Sequence, residues 1–398
     1  MHKITFTSTT HIGWGSLEKL APEVEKLKAK KVLVVTDPFL KELGVTDKIV
    51  QSLNENAAEI TIYTDVAPEP PLAIGEKLVA FTKQHNFDLV IGLGGGSALD
   101  LAKLAALLAA HEGNAADYLN LTGTKSIENK GLPKILIPTT SGTGSEVTNI
   151  AVLSLETTKD VVTHDYMLAD VAIVDPELTL SLPPKVTAAT GVDALTHAIE
   201  AYVSKNANEV TDALAVKAIR LISQSIRTAV RDGQNQQART DMSYGSYLAG
   251  LAFFNAGAAG VHALAYPLGG QFHIAHGDSN AVLLPYVMGY IRQSCEKRMK
   301  DILDALGVSS AYLSQEEASY KCVEVLKELV EDVNIPSSLK GFSIPEEALE
   351  ALTRDAEKQT RLLSRSPMML EKKDIFQIYR NAYDGSVTEP GQKNMAPA

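Results

Sequence analysis

Val90-Ile91-Gly92-Leu93-Gly94-Gly95-Gly96-Ser97 is an apolar run that ends in a glycine turn, and the stretch from Ser97 to Ala110 behind it carries helical periodicity. A strand that hands over to a helix through glycines leaves backbone N–H groups free to approach a pyrophosphate at the helix N-terminus. Gly92 and Gly94 fit a dinucleotide fingerprint, but Ser97 occupies the third glycine position. No acidic residue ends a strand at the usual distance after it, and no Lys-Ser or Lys-Thr follows the glycines as in a nucleoside-triphosphate loop. Taken alone, the run is equally a tight strand-to-helix turn that binds nothing.

Its neighbours in sequence repeat the pattern. Lys31 to Thr36, Glu59 to Thr64, Asp88 to Leu93 and Lys134 to Pro138 read as strands, with Ala151 to Leu155 and Val171 to Val174 as further ones. Amphipathic stretches at Phe39 to Asn54, Leu72 to His85 and Ser97 to Ala110 lie between them. Such alternation predicts an α/β domain with a parallel sheet covered on both faces. Asp37 follows the first strand. There it can accept hydrogen bonds from an adenosine ribose and repel a 2′-phosphate, or simply cap the helix that Pro38 opens. A second polar glycine loop, Pro138-Thr139-Thr140-Ser141-Gly142-Thr143-Gly144-Ser145-Glu146, follows another strand and offers hydroxyls and free N–H groups.

After Asp175-Pro176-Glu177-Leu178 and Pro183-Pro184 the β-branched runs nearly vanish. The expected division is residues 1–184 as the nucleotide-binding α/β domain and 185–398 as an all-helical domain, with Pro390 to Ala398 poorly ordered. At 398 residues two domains are the default. A net charge of −11 argues against nucleic acid as a partner. Two cysteines in no metal-type spacing, the lack of a signal-type opening and apolar runs too short to span a bilayer lead us to expect a cytoplasmic protein away from membranes. We also expect a homodimer or a higher homo-oligomer.

The helical half carries the chemistry. Asp193 and His197, in Gly191-Val192-Asp193-Ala194-Leu195-Thr196-His197, are four apart and share one helical face. His262 and His276 follow in a second Gly/Ala-rich stretch. One carboxylate and three imidazoles can close around a divalent metal and leave a position for substrate. Each alone has a plainer explanation as a core histidine or a capping carboxylate. Together, in a region where an unpaired polar group is costly, they point to a mononuclear site. The mixed N/O set suits Fe(II) without excluding Zn(II).

With these motifs in this order, the chain resembles the iron-containing (group III) alcohol dehydrogenase family. The resemblance rests on Gly94 to Ser97 with Asp100 and Lys103, Pro138 to Glu146, Asp175-Pro176, Gly191 to Tyr202 and Gly260 to Pro285, and it covers essentially the whole length. It implies an N-terminal nucleotide-binding α/β domain and a C-terminal helical metal domain. It implies that Asp193, His197, His262 and His276 bind Fe(II), or Zn(II) as in some members, and that the cofactor is NAD. Gly95, Gly96 and Ser97 would hold the pyrophosphate, and Thr139, Thr140 and Thr143 would line the cofactor towards the nicotinamide. Lys159, in the loop before Asp170 to Pro176, would stand near the nicotinamide ribose, and Asp37 would favour NAD over NADP. Gly94, Asp100, Ser145 and Leu178 complete the cofactor set. Ile150, Phe253, Phe254 and Leu362 become pocket candidates suited to a short aliphatic alcohol or aldehyde.

The sequence also departs from the family. Tyr266 stands where many relatives have a histidine, four residues after His262, so a hydroxyl replaces an imidazole or only packs. Glu69 replaces an asparagine, and Leu362 with Ser366-Pro367-Met368 replaces a cysteine and an Asn-Pro-Arg segment. His273, three residues before His276, is expected on nearly the same helical face and is the candidate proton relay beside Tyr266.

The expected reaction is hydride transfer between a nicotinamide and a small alcohol or aldehyde whose oxygen the metal polarises. A related dehydrogenase acting on a hydroxy acid, polyol or sulfonate-bearing aldehyde is the alternative. It would require Arg361 or Arg365 to turn inward, where solvated arginines are the simpler expectation. Weaker rivals are a non-redox metal enzyme of the dehydroquinate synthase type, for which the metal motifs lack a Lys/Arg cluster, a metal hydrolase without dinucleotide, and a non-catalytic binding protein.

Overall fold

The computed structural model describes residues 2–53, 59–156 and 158–387. Asn54, at the end of one expected helix, and Pro390 to Ala398 lie outside the described residues. Among the described residues there are eight strands: β1 (Thr9–Ile12), β2 (Lys31–Val35), β3 (Glu59–Tyr63), β4 (Leu89–Gly94), β5 (Lys134–Pro138), β6 (Ile150–Ser154), β7 (Lys159–Thr163) and β8 (Val171–Val174). Six form a parallel sheet in the order β1-β8-β5-β4-β2-β3. Around it lie α1 (Leu20–Lys26), α2 (Pro38–Glu42), α3 (Val45–Leu53), α4 (Leu72–His85) and α5 (Gly96–Leu108).

The central strands β2, β4, β5 and β8 were legible because they are buried almost throughout. Leu33, Val35, Val90 and Leu136 enter one apolar core, while Val32, Val34, Ile91, Ile135 and Ile137 enter the core on the opposite face. Consecutive residues therefore serve different cores, which is why these strands read as continuous apolar runs. The expected helix from Phe39 is two helices, broken at Gly44, whose φ of 71° is open to glycine at little cost. The reading also missed β1 and β7. Lys159, expected in a loop, opens β7, which pairs antiparallel with β6 as a hairpin outside the main sheet. Thr9–Ile12 is short and incompletely buried, and Lys159-Asp160 gives β7 a charged start, so neither carried an apolar signal.

Chain order reverses between β2 and β4. From β2 the chain adds β3 at one edge, then returns to build β4, β5 and β8 on the other side. The carboxyl ends of β2 and β4 thus border the crevice where open parallel sheets take ligands. Asp37 follows β2 and the glycine turn follows β4. A Cβ placed on Gly94 would lie 3.5 Å from Asp37 Oδ2, so the two features meet in space.

Everything described after Pro184 is helix or loop: α6 (Pro184–Val203), α7 (Glu209–Arg231), α8 (Gln236–Ala256), α9 (Gly260–Phe272), α10 (His276–Ile291), α11 (Glu296–Ala305), α12 (Gln315–Asp332), α13 (Leu349–Glu357), α14 (Thr360–Leu363) and α15 (Lys372–Asp384). α6 is almost wholly buried, and it packs against α7, α8 and α10. α8 and α9 meet at a bend of 104° around Gly257, whose φ is 90°. Among the described residues, no single helix is long and apolar enough to cross a membrane.

One buried cation joins the glycine-turn helix to the hairpin. Lys103 on α5 has no exposed surface and donates to the carbonyls of Ser145 at 3.0 Å and Ile150 at 2.5 Å. It lies 3.0 Å from Asp100 Oδ1. Asp100 in turn accepts from Ser145 Oγ at 2.5 Å and from the Val152 amide at 2.9 Å. Burial pulls the Lys103 pKa down, and Asp100 and then Glu146 oppose it.

Candidate metal and cofactor site

α6 carries Asp193 and His197 one turn apart, His262 lies in the first turn of α9, and His276 is the first residue of α10. One ligand atom from each falls within 4.8 Å of all the others. His197 Nε2 and His262 Nε2 are 2.9 Å apart, and Asp193 Oδ1 lies 3.8 Å from His262 Nε2 and 3.7 Å from His276 Nε2. The structure therefore assembles all four residues expected from the sequence.

Glu200, one further turn along α6, was not singled out although it lies in the stretch that carried the resemblance. It has no exposed surface. Its carboxylate accepts from the amides of Ala259 at 3.0 Å and Val261 at 2.6 Å, at the entrance to α9, and lies 2.6 Å from His262 Nδ1. With the Nδ1 proton given to Glu200, the Nε2 lone pair of His262 points at the cluster, the arrangement of a carboxylate behind a metal-binding imidazole. The only sequence signal was position: Asp193, His197 and Glu200 recur at i, i+4 and i+7 on one face.

The cluster is rich in acceptors. Asn280 on α10 is its one amide donor, at 2.7 Å from Asp193 Oδ1, 3.1 Å from His262 Nε2 and 3.2 Å from His276 Nε2. Its own Oδ1 is buried without a partner. Its two N–H groups face three acceptors, and His197 Nδ1 is likewise buried without a partner. Burial pushes His197 down to about 3 and His276 to about 4, so both rings are neutral near pH 7 and keep free lone pairs. Burial also opposes charge on His262, but Glu200 and Asp193 outweigh it and raise its pKa. Burial would raise Asp193, yet the surrounding histidines and Asn280 hold it low. The pocket thus favours positive charge where the four groups converge, and the donor set fits a divalent cation.

A cavity of about 400 Å³ runs from this cluster to the glycine turn. Of the expected cofactor residues, Gly96, Ser97, Asp100, Thr143, Ser145 and Lys159 line it. A Cβ on Gly96 would stand 2.7 Å from Thr143 Cγ2, so that approach needs glycine. Gly94, Gly95, Thr139 and Thr140 are adjacent but form no part of its wall. Asp37 accepts from the Leu40 amide at 2.9 Å and caps α2. Leu178 is buried in the sheet core with Leu40, Leu93 and Ile137. Asp100 and Ser145 bond to each other, so at least part of their work is structural. All four pocket candidates, Ile150, Phe253, Phe254 and Leu362, line the same cavity. Phe253 stacks on His197 with ring centroids 4.2 Å apart and an interplanar angle of 17°.

Glu69 closes the cavity between the two halves. Its carboxylate pairs with Lys159 and accepts from the His276 amide at 3.2 Å, while its own amide donates to Ser97 Oγ at 3.3 Å. Burial would raise its pKa, but Lys159 and His276 bring it below the ordinary value. The replacement of the family's asparagine here has made an ion pair.

The two proton-relay candidates separate. α9 ends at Phe272, and His273 caps it in the left-handed conformation with φ 54°. The helical-face argument linking it to His276 therefore fails: His273 is exposed and outside the cavity wall. Tyr266 is buried, lines the cavity, and lies 6.0 Å from His276 by ring centroids.

Family models cover both halves of this architecture. The model described as iron-containing alcohol dehydrogenase matches residues 7–176, and that for the C-terminal part of the Fe-containing alcohol dehydrogenase family matches residues 187–383. The chain belongs to the iron-containing alcohol dehydrogenase family. It is 68% identical over 388 residues to Long-chain-alcohol dehydrogenase 1 of Geobacillus thermodenitrificans, with 98% of each chain covered. A solved 1,3-propanediol oxidoreductase matches with a TM-score of 0.92 at 36% identity, covering 96% of this chain and all of the other. A sulfoacetaldehyde reductase from Bifidobacterium kashiwanohense, solved with NAD+, gives 0.86 at 28% identity, covering 96% and 98%. As a member of this family the chain is a metal-dependent, NAD(H)-linked alcohol dehydrogenase.

Two outcomes test the assignments in this site. Glu200→Gln keeps an acceptor for α9 but loses the charge behind His262. It should weaken metal affinity by about 10- to 100-fold with the fold retained. Chelator competition measures this, and an unchanged affinity would remove Glu200 from the site. For proton transfer, Tyr266→Phe should lower turnover and change the pH–rate profile, while His273→Ala should leave that profile intact. The reverse pattern would return the relay to His273.

Proposed function

We propose that the chain interconverts aliphatic aldehydes and primary alcohols with NAD(H), at an Fe(II) ion held by Asp193, His197, His262 and His276. The observation that carries this reading is the single cavity joining the α5 glycine turn to the acceptor-rich quartet, with an apolar wall between them. The mixed carboxylate and imidazole donors favour Fe(II). When bound, the ion supplies a Lewis acid for the alcohol or carbonyl oxygen, and the nicotinamide supplies or accepts hydride.

The protein's own groups bind, orient and exclude water. The N–H groups of Gly95, Gly96 and Ser97 at the start of α5 suit a pyrophosphate. Thr139, Thr140 and Thr143 follow along the sheet edge, and Lys159 offers its ammonium near the expected nicotinamide ribose. Phe253 covers His197, and Ile150, Phe254 and Leu362 complete an apolar wall that keeps bulk water from the reacting atoms. Tyr266 presents the hydroxyl best placed to pass a proton, and burial raises its pKa, so it stays protonated near neutrality. Short aldehydes fall within this reading. The similarity to a protein named for long-chain alcohols supports a range that extends to longer chains.

An aldehyde series from ethanal to decanal, assayed with NADH, should show turnover that disappears on complete chelation and returns with Fe(II) under anaerobic conditions. Activity that survives with no metal present, or no reduction of any aldehyde, would overturn the reading. Asp37 is proposed to favour NAD through its charge beside the glycine turn. Asp37→Gly should raise the NADP-to-NAD ratio of catalytic efficiencies about tenfold, which corresponds to roughly 1.4 kcal/mol. A constant ratio would leave Asp37 as a helix cap alone.

A further inference from the structure

Arg361 and Arg365, one turn apart across α14 and its exit, both line the cavity beside Leu362. The cavity's other cations are already matched: Lys159 pairs with Glu69, and the nearby buried Lys103 pairs with Asp100. Among the described residues, neither arginine has a side-chain hydrogen bond or an ion pair. Both are only partly exposed. A half-buried guanidinium loses much of its hydration and is a strong bidentate donor to planar oxyanions.

Arg365 is also accommodated by its surroundings. It packs on Gly257 at the end of α8, where any Cβ would stand 2.4 Å from Arg365 Cδ and 2.5 Å from Nη1. The C-terminal end of a helix favours a cation, which makes the position tolerable without supplying a counter-ion. Arg361 and Arg365 share this cavity with His197, His262, His276 and Tyr266, so an anion held by the pair lies in the space that reaches the quartet.

We infer that Arg361 and Arg365 form an anion subsite that selects aldehydes and alcohols carrying a carboxylate or sulfonate at the far end from the reacting carbon. This rests on the aldehyde-reducing reading above and names its preferred substrate class: an ω-oxo acid and the matching ω-hydroxy acid. The chemistry is unchanged. Hydride from NADH and one proton convert the aldehyde to the primary alcohol, NAD+ is released, and the anionic group takes no part in the bond changes.

The test uses the metal-loaded enzyme with NADH and two aldehyde pairs of equal chain length, pentanal against 5-oxopentanoate and hexanal against 6-oxohexanoate. Wild type should prefer the anionic member of at least one pair by about tenfold or more in kcat/KM. Arg361→Gln and Arg365→Gln should each lower that preference about tenfold, through KM more than kcat, and Arg365→Lys should restore part of it. Butanoate should compete with hexanal on wild type at about tenfold lower concentration than butanamide, a measurement that needs no variant. Equal or poorer use of both oxo acids by wild type, or a preference unchanged in both Gln variants, would overturn the subsite. If wild type reduces neither member of either pair, the aldehyde reading itself fails and this inference falls with it.

Discussion

A carboxylate with no exposed surface sits at the centre of the helical half. A Glu200 carboxyl group left without hydrogen-bond partners there would be costly. Its compensation comes from elsewhere in the chain: two amides at the entrance to α9 and the Nδ1 side of His262. The requirement to satisfy Glu200 therefore fixes where α9 begins against α6. It also fixes the tautomer of His262 and the direction of its free nitrogen. Asp193 and His197 lie on the same face of α6, so the bond that seats α9 also aligns three of the four groups that converge on the site. His276 joins from α10, tied back to the first half of the chain by Glu69.

The nucleotide half uses the same economy of buried charge. Lys103 gathers the carbonyls of the loop after β5 and the start of the hairpin, and Asp100 ties Ser145 and Val152 to α5. The lining residues Ser145, Ile150 and Val152 are thereby tied to α5. Because β2 and β4 flank the point where strand order reverses, Asp37 and the turn at Gly94 arrive at one crevice. Both halves hold their functional loops to a helix through a buried ionisable side chain that is hydrogen-bonded to those loops. Such interactions are directional in a way that apolar packing is not.

The cavity is heterogeneous in charge. Glu69 pairs with Lys159 and links the halves, whereas Arg361 and Arg365 line the same cavity without an ion pair among the described residues. Apolar side chains, Phe253 stacked on His197 and Leu362 next in sequence to Arg361, line the same space.

Much of this was legible along the chain. Strands buried on both faces announce themselves as apolar runs, and a glycine turn between strand and helix is a local feature, so the parallel sheet and the glycine turn followed from sequence, whereas the strand order that sets the crevice did not. Asp193 and His197 were legible as a pair because helical periodicity alone puts them on one face. The tertiary structure decided what depends on non-local partners. β1 and β7 form because a neighbouring strand accepts them. Glu200 matters because α9 packs against it. Lys159 is neutralised by a residue 90 positions away in sequence. His273 was misplaced for the complementary reason: spacing implies a shared face only while the helix continues, and here a left-handed residue ends it. Periodicity reports what a segment buries. Which charges meet, and which are left without a partner, is settled only when the segments pack.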